Sequence, residues 1–150
     1  MSRRVVMLAP FGARPKATLS RRMLPLAAAL TARGWSVSIV APASVAADAG
    51  RVEMLDGVRV KHVALPVSPG PLQFVETSAR MLAAALRLKP DLLHVFKPKG
   101  YSGLAALLAH AVRPDLPQVQ DTDDWEGWGG WNDLLPYPMA MKYFLSLIHI

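Results

Sequence analysis

The chain has 150 residues, long enough for one domain with its own core, and its 52% content of hydrophobic residues excludes a disordered chain. It contains no cysteine, which excludes disulfides and thiolate metal sites. Its 17 lysines and arginines against 11 acidic residues give a net charge of +6, which suits an anionic partner: a phosphorylated ligand, an anionic membrane surface or nucleic acid.

The first predicted elements are a strand and a helix. Residues 5–8 form a short, continuously apolar run, typical of a strand that is buried on both faces. Apolar residues at helical spacing predict a helix from residue 19 to about residue 30, with Thr18 or Ser20 as its N-cap. Pro25 predicts a kink in this helix unless the first turn begins beside it.

The middle of the chain predicts two more strands and a second helix. The strands cover residues 35–40 and 58–65, and residues 43–56 between them read as an irregular excursion with a small hairpin. A connection rich in proline and glycine leads to a helix over residues 72–88. The apolar stripe of this helix is predicted to comprise Leu72, Val75, Ala79, Leu82, Ala83 and Leu86.

The last predicted elements continue the alternation. Residues 92–96 form a fourth strand, Ser102 is expected to cap a helix that ends near Val112, and residues 118–120 form a short fifth strand. Strands separated by helices of ten or more residues indicate a parallel sheet with right-handed crossovers. The sequence therefore predicts an α/β fold with a Rossmann-like, doubly wound parallel sheet.

An acidic, tryptophan-rich block follows the fifth strand. Residues 121–133 hold five of the 11 acidic residues and three of the four tryptophans, whereas residues 1–120 are strongly basic. Three glycines interrupt the block, and glycine weakens both helices and strands. We expect a loop that offers carboxylates and stacking rings to a ligand or to another domain.

The predicted fold brings this block close to two basic loops. With the common strand order 3-2-1-4-5, the loops after the first, fourth and fifth strands meet at the carboxyl edge of the sheet, where ligands of such folds bind. Two of these loops lead into helix N-termini, which favour anions. We therefore expect a cleft for a phosphorylated, polyhydroxylated ligand. Its candidate binding residues are Gly12, Arg14, Lys16, Thr18, His94, Lys97, Lys99, Asp121, Asp123, Asp124, Trp125 and Glu126.

Each candidate also has an ordinary structural explanation. Lys97 and Lys99 flank a proline and could be solvated turn residues, His94 could be a hydrogen-bonded core histidine, and Arg21 and Arg22 could be the exposed face of the first helix. No dinucleotide-binding or P-loop glycine motif occurs, which disfavours a nicotinamide dehydrogenase or a P-loop enzyme.

A magnesium site is an alternative for the acidic block. Asp121, Asp123 and Asp124 place three hard oxygen ligands together, as in phosphatases and metal-dependent transferases. No histidine lies close to them in the sequence. A stand-alone metal-dependent hydrolase or ligand-binding domain is therefore the second functional hypothesis.

Several segments together resemble one known family. Residues 4–10 (RVVMLAP), 15–27 (PKATLSRRMLPLA) and 30–37 (LTARGWSV) look like the opening of a family 4 glycosyltransferase of the GT-B fold. Residues 89–96 (KPDLLHVF) are similar to the fourth strand of that family, and residues 97–103 with the acidic block look like a subgroup signature. The resemblance extends from residue 3 to about residue 144.

The resemblance implies an enzyme with two Rossmann-like domains that face each other across a cleft. The N-terminal domain mainly holds the acceptor, and the C-terminal domain binds most of a nucleotide-sugar. Transfer retains the anomeric configuration and needs neither a metal nor a cofactor, since the nucleotide-sugar is a substrate. The first loop of the family usually carries adjacent glycines near the donor phosphates; here Gly12 stands alone, so Lys16 is the hypothesis for that contact.

These observations set the expected organisation and partners. Residues 1–144 are expected to form the acceptor-side domain of a hexosyltransferase that acts on a glycan or a lipid-linked acceptor, with the donor domain and the catalytic residues outside this chain. Residues 145–150 match a translated transposase-type sequencing adapter and are expected not to be native. We expect a cytoplasmic protein, inactive as this chain alone, in peripheral contact with an anionic membrane and without a nucleic-acid partner.

Overall fold

The computed structural model describes residues 2–12, 17–98, 100–122 and 129–147, apart from the side chains of residues 131, 132 and 144–147. The strands are β1 (Arg4–Leu8), β2 (Ser36–Pro42), β3 (Val52–Leu55), β4 (Val58–Val63), β5 (Leu92–Phe96) and β6 (Gln118–Asp121). The α-helices are α1 (Leu24–Ala32), α2 (Leu72–Arg87), α3 (Tyr101–Val112), α4 (Trp131–Leu134) and α5 (Met139–Leu147).

The strands form one sheet with the order β3-β4-β2-β1-β5-β6. All neighbouring strands are parallel except β3 and β4, which form an antiparallel hairpin. Apart from the hairpin strand β3, this is the predicted order, because the chain moves outward from β1 to one side and then returns to the other. The reversal lies between β1 and β5, where Leu8 is in register with Val40 on one side and Val95 on the other.

Two apolar layers cover the sheet, because alternate strand residues point to opposite faces. Met7 and Ile39 belong to the layer under α1, and Leu8 and Leu93 belong to the layer under α2 and α3. All four side chains have 0% exposure. Burying a side chain of this size stabilises the fold by about 1.5–3 kcal/mol, which explains why the central strands are continuously apolar.

The first helix begins differently from the prediction. A π-helical turn covers Leu19–Met23 and continues into α1, with Pro25 at the start of the regular helix. Pro25 lacks an N–H group, and a position in the first turn of α1 avoids the loss of a hydrogen bond. Thr18 has helical dihedrals without a capping side-chain hydrogen bond, and Ser20 Oγ donates to the Ala17 carbonyl. Thr18 therefore occupies the expected N-cap position, but its side chain does not make the capping hydrogen bond.

The excursion after β2 contributes only one strand, β3, to a hairpin whose other strand, β4, is the predicted third strand, so the hairpin does not lie within the excursion as expected. A short 3₁₀ turn at Ala46–Asp48 precedes β3, and β3 pairs with β4. His62 on β4 is fully buried, and its Nε2 lies 2.8 Å from Glu53 Oε1 on β3. Arg51 also contacts Glu53, at 3.0 Å. The contact between His62 and Glu53 joins the two strands of the hairpin to each other.

The buried face of α2 differs from the predicted stripe. Leu82 is buried, but Leu72 and Val75 are 62% and 49% exposed, while Ser78 and Met81 are fully buried. The Ser78 hydroxyl donates to the Phe74 carbonyl one turn earlier, which lets a polar residue pack against the sheet. The predicted stripe followed hydrophobicity alone, whereas the position of the sheet selects the buried side.

Candidate functional site

The loops after β1, β5 and β6 meet at the carboxyl edge of the sheet. Strand β5 lies between β1 and β6, and all three run in the same direction, so their carboxyl ends are neighbours. This is the switch point at which ligands of doubly wound sheets bind. The predicted meeting of three polar loops is therefore confirmed for their attachment points.

Gly12 in the first loop lies tightly against the loop after β2. A Cβ atom at Gly12 would be 1.7 Å from Ser44 Oγ, 2.9 Å from Ser44 Cβ and 3.0 Å from the Pro42 carbonyl oxygen. No side chain fits without displacing these atoms. Glycine at this position therefore serves the close approach of two backbone segments, a requirement that does not depend on a phosphate ligand.

His94 is the central residue of β5, two residues before the carboxyl end of the strand, and is half-buried. Its ring stacks on Phe96, with 4.5 Å between the ring centroids. Burial lowers the pKa of His94 from its ordinary value of 6.5, and the Asp121 carboxylate raises it by less. The imidazole is therefore predominantly neutral at pH 7 and can donate one hydrogen bond and accept another. Such a group is suited to a sugar hydroxyl.

Asp121 connects the end of β6 to the first helix. Its Oδ1 accepts a hydrogen bond from Arg22 Nη2 in an ion pair whose side chains are 33% and 23% exposed. The sequence offered Arg22 only as an exposed helical residue. The structure instead places it beside Asp121 and, through Asp121, near His94. Only a basic residue at the start of the helix could have pointed to this pair, because 99 residues separate the partners.

Lys97 begins the loop after β5 with a strained backbone. Its φ of 43° lies in the left-handed region, which is uncommon for a residue with a side chain. The Lys97 amide donates to the Asp121 carbonyl at 2.8 Å, which extends the ladder between β5 and β6. Strained residues that their surroundings hold in place are enriched at functional sites.

Ser102 stabilises the same loop from within α3. Its Oγ lies 3.1 Å from the Phe96 carbonyl oxygen and 2.9 Å from the Lys97 carbonyl oxygen, and the side chain is fully buried. The cap position of α3 belongs to Gly100, which has a φ of 62°, so Ser102 does not cap the helix as predicted. The hydroxyl instead fixes the turn that carries Lys97.

The structure therefore brings together His94, Lys97 and Asp121 and adds Arg22 to them. Thr18 lies at the start of the π-helical turn, on the first loop at the same edge. The other candidates, Arg14, Lys16, Lys99, Asp123, Asp124, Trp125 and Glu126, lie outside the described residues.

The Asp121 carboxylate at this edge is already paired with a cation, the Arg22 guanidinium. The Arg22 guanidinium occupies one oxygen of Asp121, and a metal ion at that oxygen would have to displace it. Among the described residues, no group of three or more histidine, aspartate or glutamate side chains is arranged to hold a metal. The arrangement offers a neutral imidazole, a cation and a carboxylate, which suits hydrogen bonding to hydroxyl groups and contact with phosphate.

A cavity of about 670 Å³ opens at the opposite, amino edge of the sheet. Arg3, Trp35 and Asp91 line it, and the Arg3 guanidinium lies 5.8 Å from the centre of the Trp35 ring. Ligands of doubly wound sheets bind at the carboxyl edge, so we assign the candidate site to that edge and not to this cavity.

Comparison with known proteins places the chain in a family. A family model for a glycosyl transferase 4-like domain matches residues 18–147. The chain belongs to this family. Among curated proteins, no sequence matches the chain. The glycosyltransferase resemblance read from the sequence is thus confirmed by the family model, which covers most of the elements described above.

Three solved structures share the fold of this glycosyltransferase-like domain. Sucrose-phosphate synthase from Thermosynechococcus elongatus is similar with a TM-score of 0.62 and 13% identity over 98% of the chain. A protein described as a UDP-N-acetylglucosamine 2-epimerase from Listeria monocytogenes has a TM-score of 0.57 and 16% identity over 99% of the chain. The glycosyltransferase SnogD from Streptomyces nogalater has a TM-score of 0.50 and 22% identity over 99% of the chain. The chain spans 39%, 38% and 42% of these proteins, respectively.

These structural similarities confirm the predicted fold class. The sheet is the Rossmann-like, doubly wound sheet of GT-B glycosyltransferases. A protein described as an epimerase has the same fold, so the fold by itself does not select the reaction. The family match, which rests on the sequence, supports glycosyl transfer.

Proposed function

We propose that this domain forms the acceptor side of a retaining hexosyltransferase, which moves a sugar from a nucleotide-sugar to a glycan or lipid-linked acceptor. The observation that carries the proposal is the cluster of His94, Lys97 and Asp121 at the switch point of a glycosyltransferase-family domain. The proposal includes a donor domain outside the present chain, so this chain alone would be inactive. It includes neither a metal nor a cofactor.

Each residue of the cluster has a role in the proposed reaction. A nucleoside diphosphate leaves the donor sugar with increasing negative charge on its phosphate oxygens, and a nearby cation stabilises that charge. Lys97 supplies this cation from a rigidly held turn. The neutral His94 imidazole binds a hydroxyl of the transferred sugar, and the Arg22–Asp121 ion pair holds the wall of the cleft next to it.

The location of the enzyme is part of the proposal. A cytoplasmic enzyme has access to nucleotide-sugars, and a lipid-linked acceptor would require contact with the membrane surface. No helix among the described residues is long and apolar enough to cross a membrane. The net charge of +6 supports peripheral attraction to anionic lipid.

A matched pair of lysines provides the test. Lys97 and Lys89 both have left-handed backbones, with φ values of 43° and 49°, but Lys89 follows α2 at the amino edge. We expect Lys97→Ala to lower kcat for sugar transfer by about 10–100-fold in the enzyme that contains this domain, and Lys89→Ala to leave kcat unchanged. The measurement is the release of nucleoside diphosphate together with the anomeric configuration of the product.

Two results would count against the proposal. Equal kcat values for the Lys97→Ala and Lys89→Ala variants would remove Lys97 from the site. A product with inverted configuration would contradict the retaining mechanism, while leaving the glycosyltransferase assignment intact. Magnesium-dependent phosphatase activity of the 150-residue chain would instead support the alternative that uses Asp121, Asp123 and Asp124.

A further inference from the structure

His94 and Asp121 point to the same face of the sheet. β5 and β6 are parallel, with Phe96 in register with Asp121 and His94 in register with Val119. Residues in register on parallel strands share a face, and so do residues two apart along a strand. Phe96 belongs to the apolar layer under α1. His94 and Asp121 therefore both lie on the side of the first helical segment, which we define as the π-helical turn and α1.

Arg22 approaches this face from the π-helical turn. Single turns of this kind are frequent at functional sites. The Leu19 and Met23 side chains of the turn are buried in the same layer as Phe96, which fixes the turn above the sheet. Arg22 Nη2 donates a hydrogen bond to Asp121 Oδ1, and both side chains are partly shielded from solvent. The contact is therefore an ion pair between a fixed helical turn and the end of β6.

The His94 ring has a defined orientation on this face. It stacks on Phe96 with 4.5 Å between the ring centroids, and Phe96 is only 1% exposed. The elements packed on this side of β5, among the described residues, are β1, β6 and the first helical segment. The charged residues of these elements are Arg4, Arg21, Arg22 and Asp121.

Two of these charged residues are placed to act on His94. Arg4 begins β1 at the opposite, amino edge, and Arg21 is exposed, so the ion pair of Arg22 with Asp121 remains. Lys97, on the loop after β5, adds a further positive charge at this edge.

The two members of the ion pair have opposite effects on the His94 ring. Burial, the larger effect, lowers the pKa of His94, and the Asp121 carboxylate raises it. The Arg22 guanidinium opposes the effect of Asp121, because its positive charge disfavours a second cation nearby and its hydrogen bond occupies a carboxylate oxygen. The charge of the ring thus depends on how firmly Asp121 is held.

We propose that Arg22 is a positioning residue for His94, because its hold on the Asp121 carboxylate keeps the imidazole uncharged. An uncharged imidazole donates one hydrogen bond and accepts another, as a sugar hydroxyl requires, whereas an imidazolium only donates. Without the guanidinium, the ring would pair with Asp121 as a cation. The inference rests on the proposed function in assigning a sugar hydroxyl to His94, but the effect of Arg22 on the charge of the ring exists without transfer.

Titration of the His94 ring by NMR in the 150-residue chain tests this role. Arg22→Met removes the guanidinium, and Arg21→Met removes the same charge from the adjacent, exposed position of the turn. We expect Arg22→Met to raise the pKa of His94 by about 0.5–1 pH unit and Arg21→Met to change it by less than about 0.2. Arg22→Lys should keep the pKa near that of the unmodified chain, because an ammonium group can pair with the same carboxylate. The amide spectrum of each variant verifies its fold.

The Asp121→Asn background shows whether Arg22 acts through Asp121. Asp121→Asn alone should lower the pKa of His94, because it removes the carboxylate that favours the charged ring. In this background we expect the effect of Arg22→Met to fall to less than about half. In the enzyme that contains this domain, Arg22→Met should move the acidic limb of the kcat/KM profile to higher pH by the amount seen in the titration.

Three results would overturn the proposal. The first is an equal pKa of His94 in Arg22→Met and Arg21→Met, and the second is a change in Arg22→Lys as large as that in Arg22→Met. The third is an undiminished effect of Arg22→Met in the Asp121→Asn background. The transferase proposal is judged separately, because it depends on the kcat values of Lys97→Ala and Lys89→Ala, whereas the titration of His94 requires no substrate.

Discussion

At the carboxyl edge, the identity of a single residue can be explained both by packing and by a role in the candidate site. Gly12 was a candidate because glycines in such loops approach phosphates, yet the structure shows an independent reason for it in the contact with Ser44 and Pro42. His94 is neither a fully buried core residue nor a fully solvated one. Its half-buried position lowers its pKa and keeps it available at the edge.

The contact at Gly12 predicts a coupled effect of two substitutions. Gly12→Ala should lower the free energy of unfolding by about 1–3 kcal/mol, because the new methyl group has to displace Ser44 or the backbone at Pro42. In a Ser44→Gly background the same change should cost less, since only the Pro42 carbonyl oxygen remains at 3.0 Å. Urea unfolding measures all four proteins. Strictly additive costs would show that the two residues do not share this contact.

The burial of His94 also predicts the direction in which the stability of the fold changes with pH. Its pKa in the folded chain is below 6.5, so the folded state disfavours the protonated imidazole. The contribution of His94 to stability is present above pH 6.5 and is lost as the pH falls through the lower, folded-state value. The Asp121 carboxylate limits this shift because it favours the charged ring.

Among the structural elements, the loops that precede α2 and α3 are each held in a defined conformation by specific polar contacts. The loop between β4 and α2 is held by Glu76, whose pKa falls to about 2 because the Ser68 backbone, and then the other donors around it, bind its charged form. The turn between β5 and α3 is held by Ser102 in a similar way. Each loop is thus fixed by a polar side chain from the helix that follows it.

The Glu76 contacts predict how the loop responds to mutation and acid. We expect Glu76→Gln to lower the hydrogen-exchange protection of the Val67 and Ser68 amides several-fold, because a neutral amide binds these donors less strongly and loses the ion pair with Arg80. In the unmodified chain, protection relative to the intrinsic exchange rate should persist above pH 4.5 and be lost as the pH falls towards 2.

Hydrogen exchange followed by NMR provides this measurement. The Leu88 amide, which donates to Ala85 at the other end of α2, serves as the control and should be unaffected. Unchanged protection of the Val67 and Ser68 amides in Glu76→Gln would show that the prolines alone hold the loop.

In the molecule as a whole, an ion pair joins the first helical segment to the last strand. Arg22 belongs to the first helical segment and Asp121 to the last strand, so their contact closes the α1 side of the sheet over β1 and β5. The pair is partly shielded from solvent, and its strength should lie between that of an exposed and that of a buried ion pair.

A double-mutant cycle on Arg22→Ala and Asp121→Ala measures this contribution. We expect a coupling of about 1–2 kcal/mol in the free energy of unfolding. The same cycle on Arg113 and Asp115, which are 50% and 67% exposed, should give less than about 0.5 kcal/mol. Equal coupling in the two cycles would mean that the Arg22–Asp121 pair has no special role in closing the fold.

Local sequence patterns were sufficient to predict the class of fold, the strand order around the switch point and the family. Apolar runs and helical spacing are local properties, and the parallel crossovers leave few arrangements, so the order 3-2-1-4-5 could be predicted. The proximity of His94, Lys97 and Asp121 could also be predicted. Lys97 and Asp121 directly follow two neighbouring predicted strands, and His94 lies two residues before the end of the first of them.

The contacts between segments that are distant in the chain could not be predicted and become visible only in the folded structure. The Arg22–Asp121 pair, the contact of Gly12 with Ser44, the exposed Leu72 and the buried Ser78 depend on which surfaces the sheet brings together. The side-chain caps were also wrong in the sequence prediction, since Thr18 makes no capping hydrogen bond and Gly100, not Ser102, occupies the N-cap of α3. Secondary-structure preferences depend on neighbouring residues and can therefore be read from the sequence. Burial and side-chain pairing depend on which remote segments pack against each other in the folded chain.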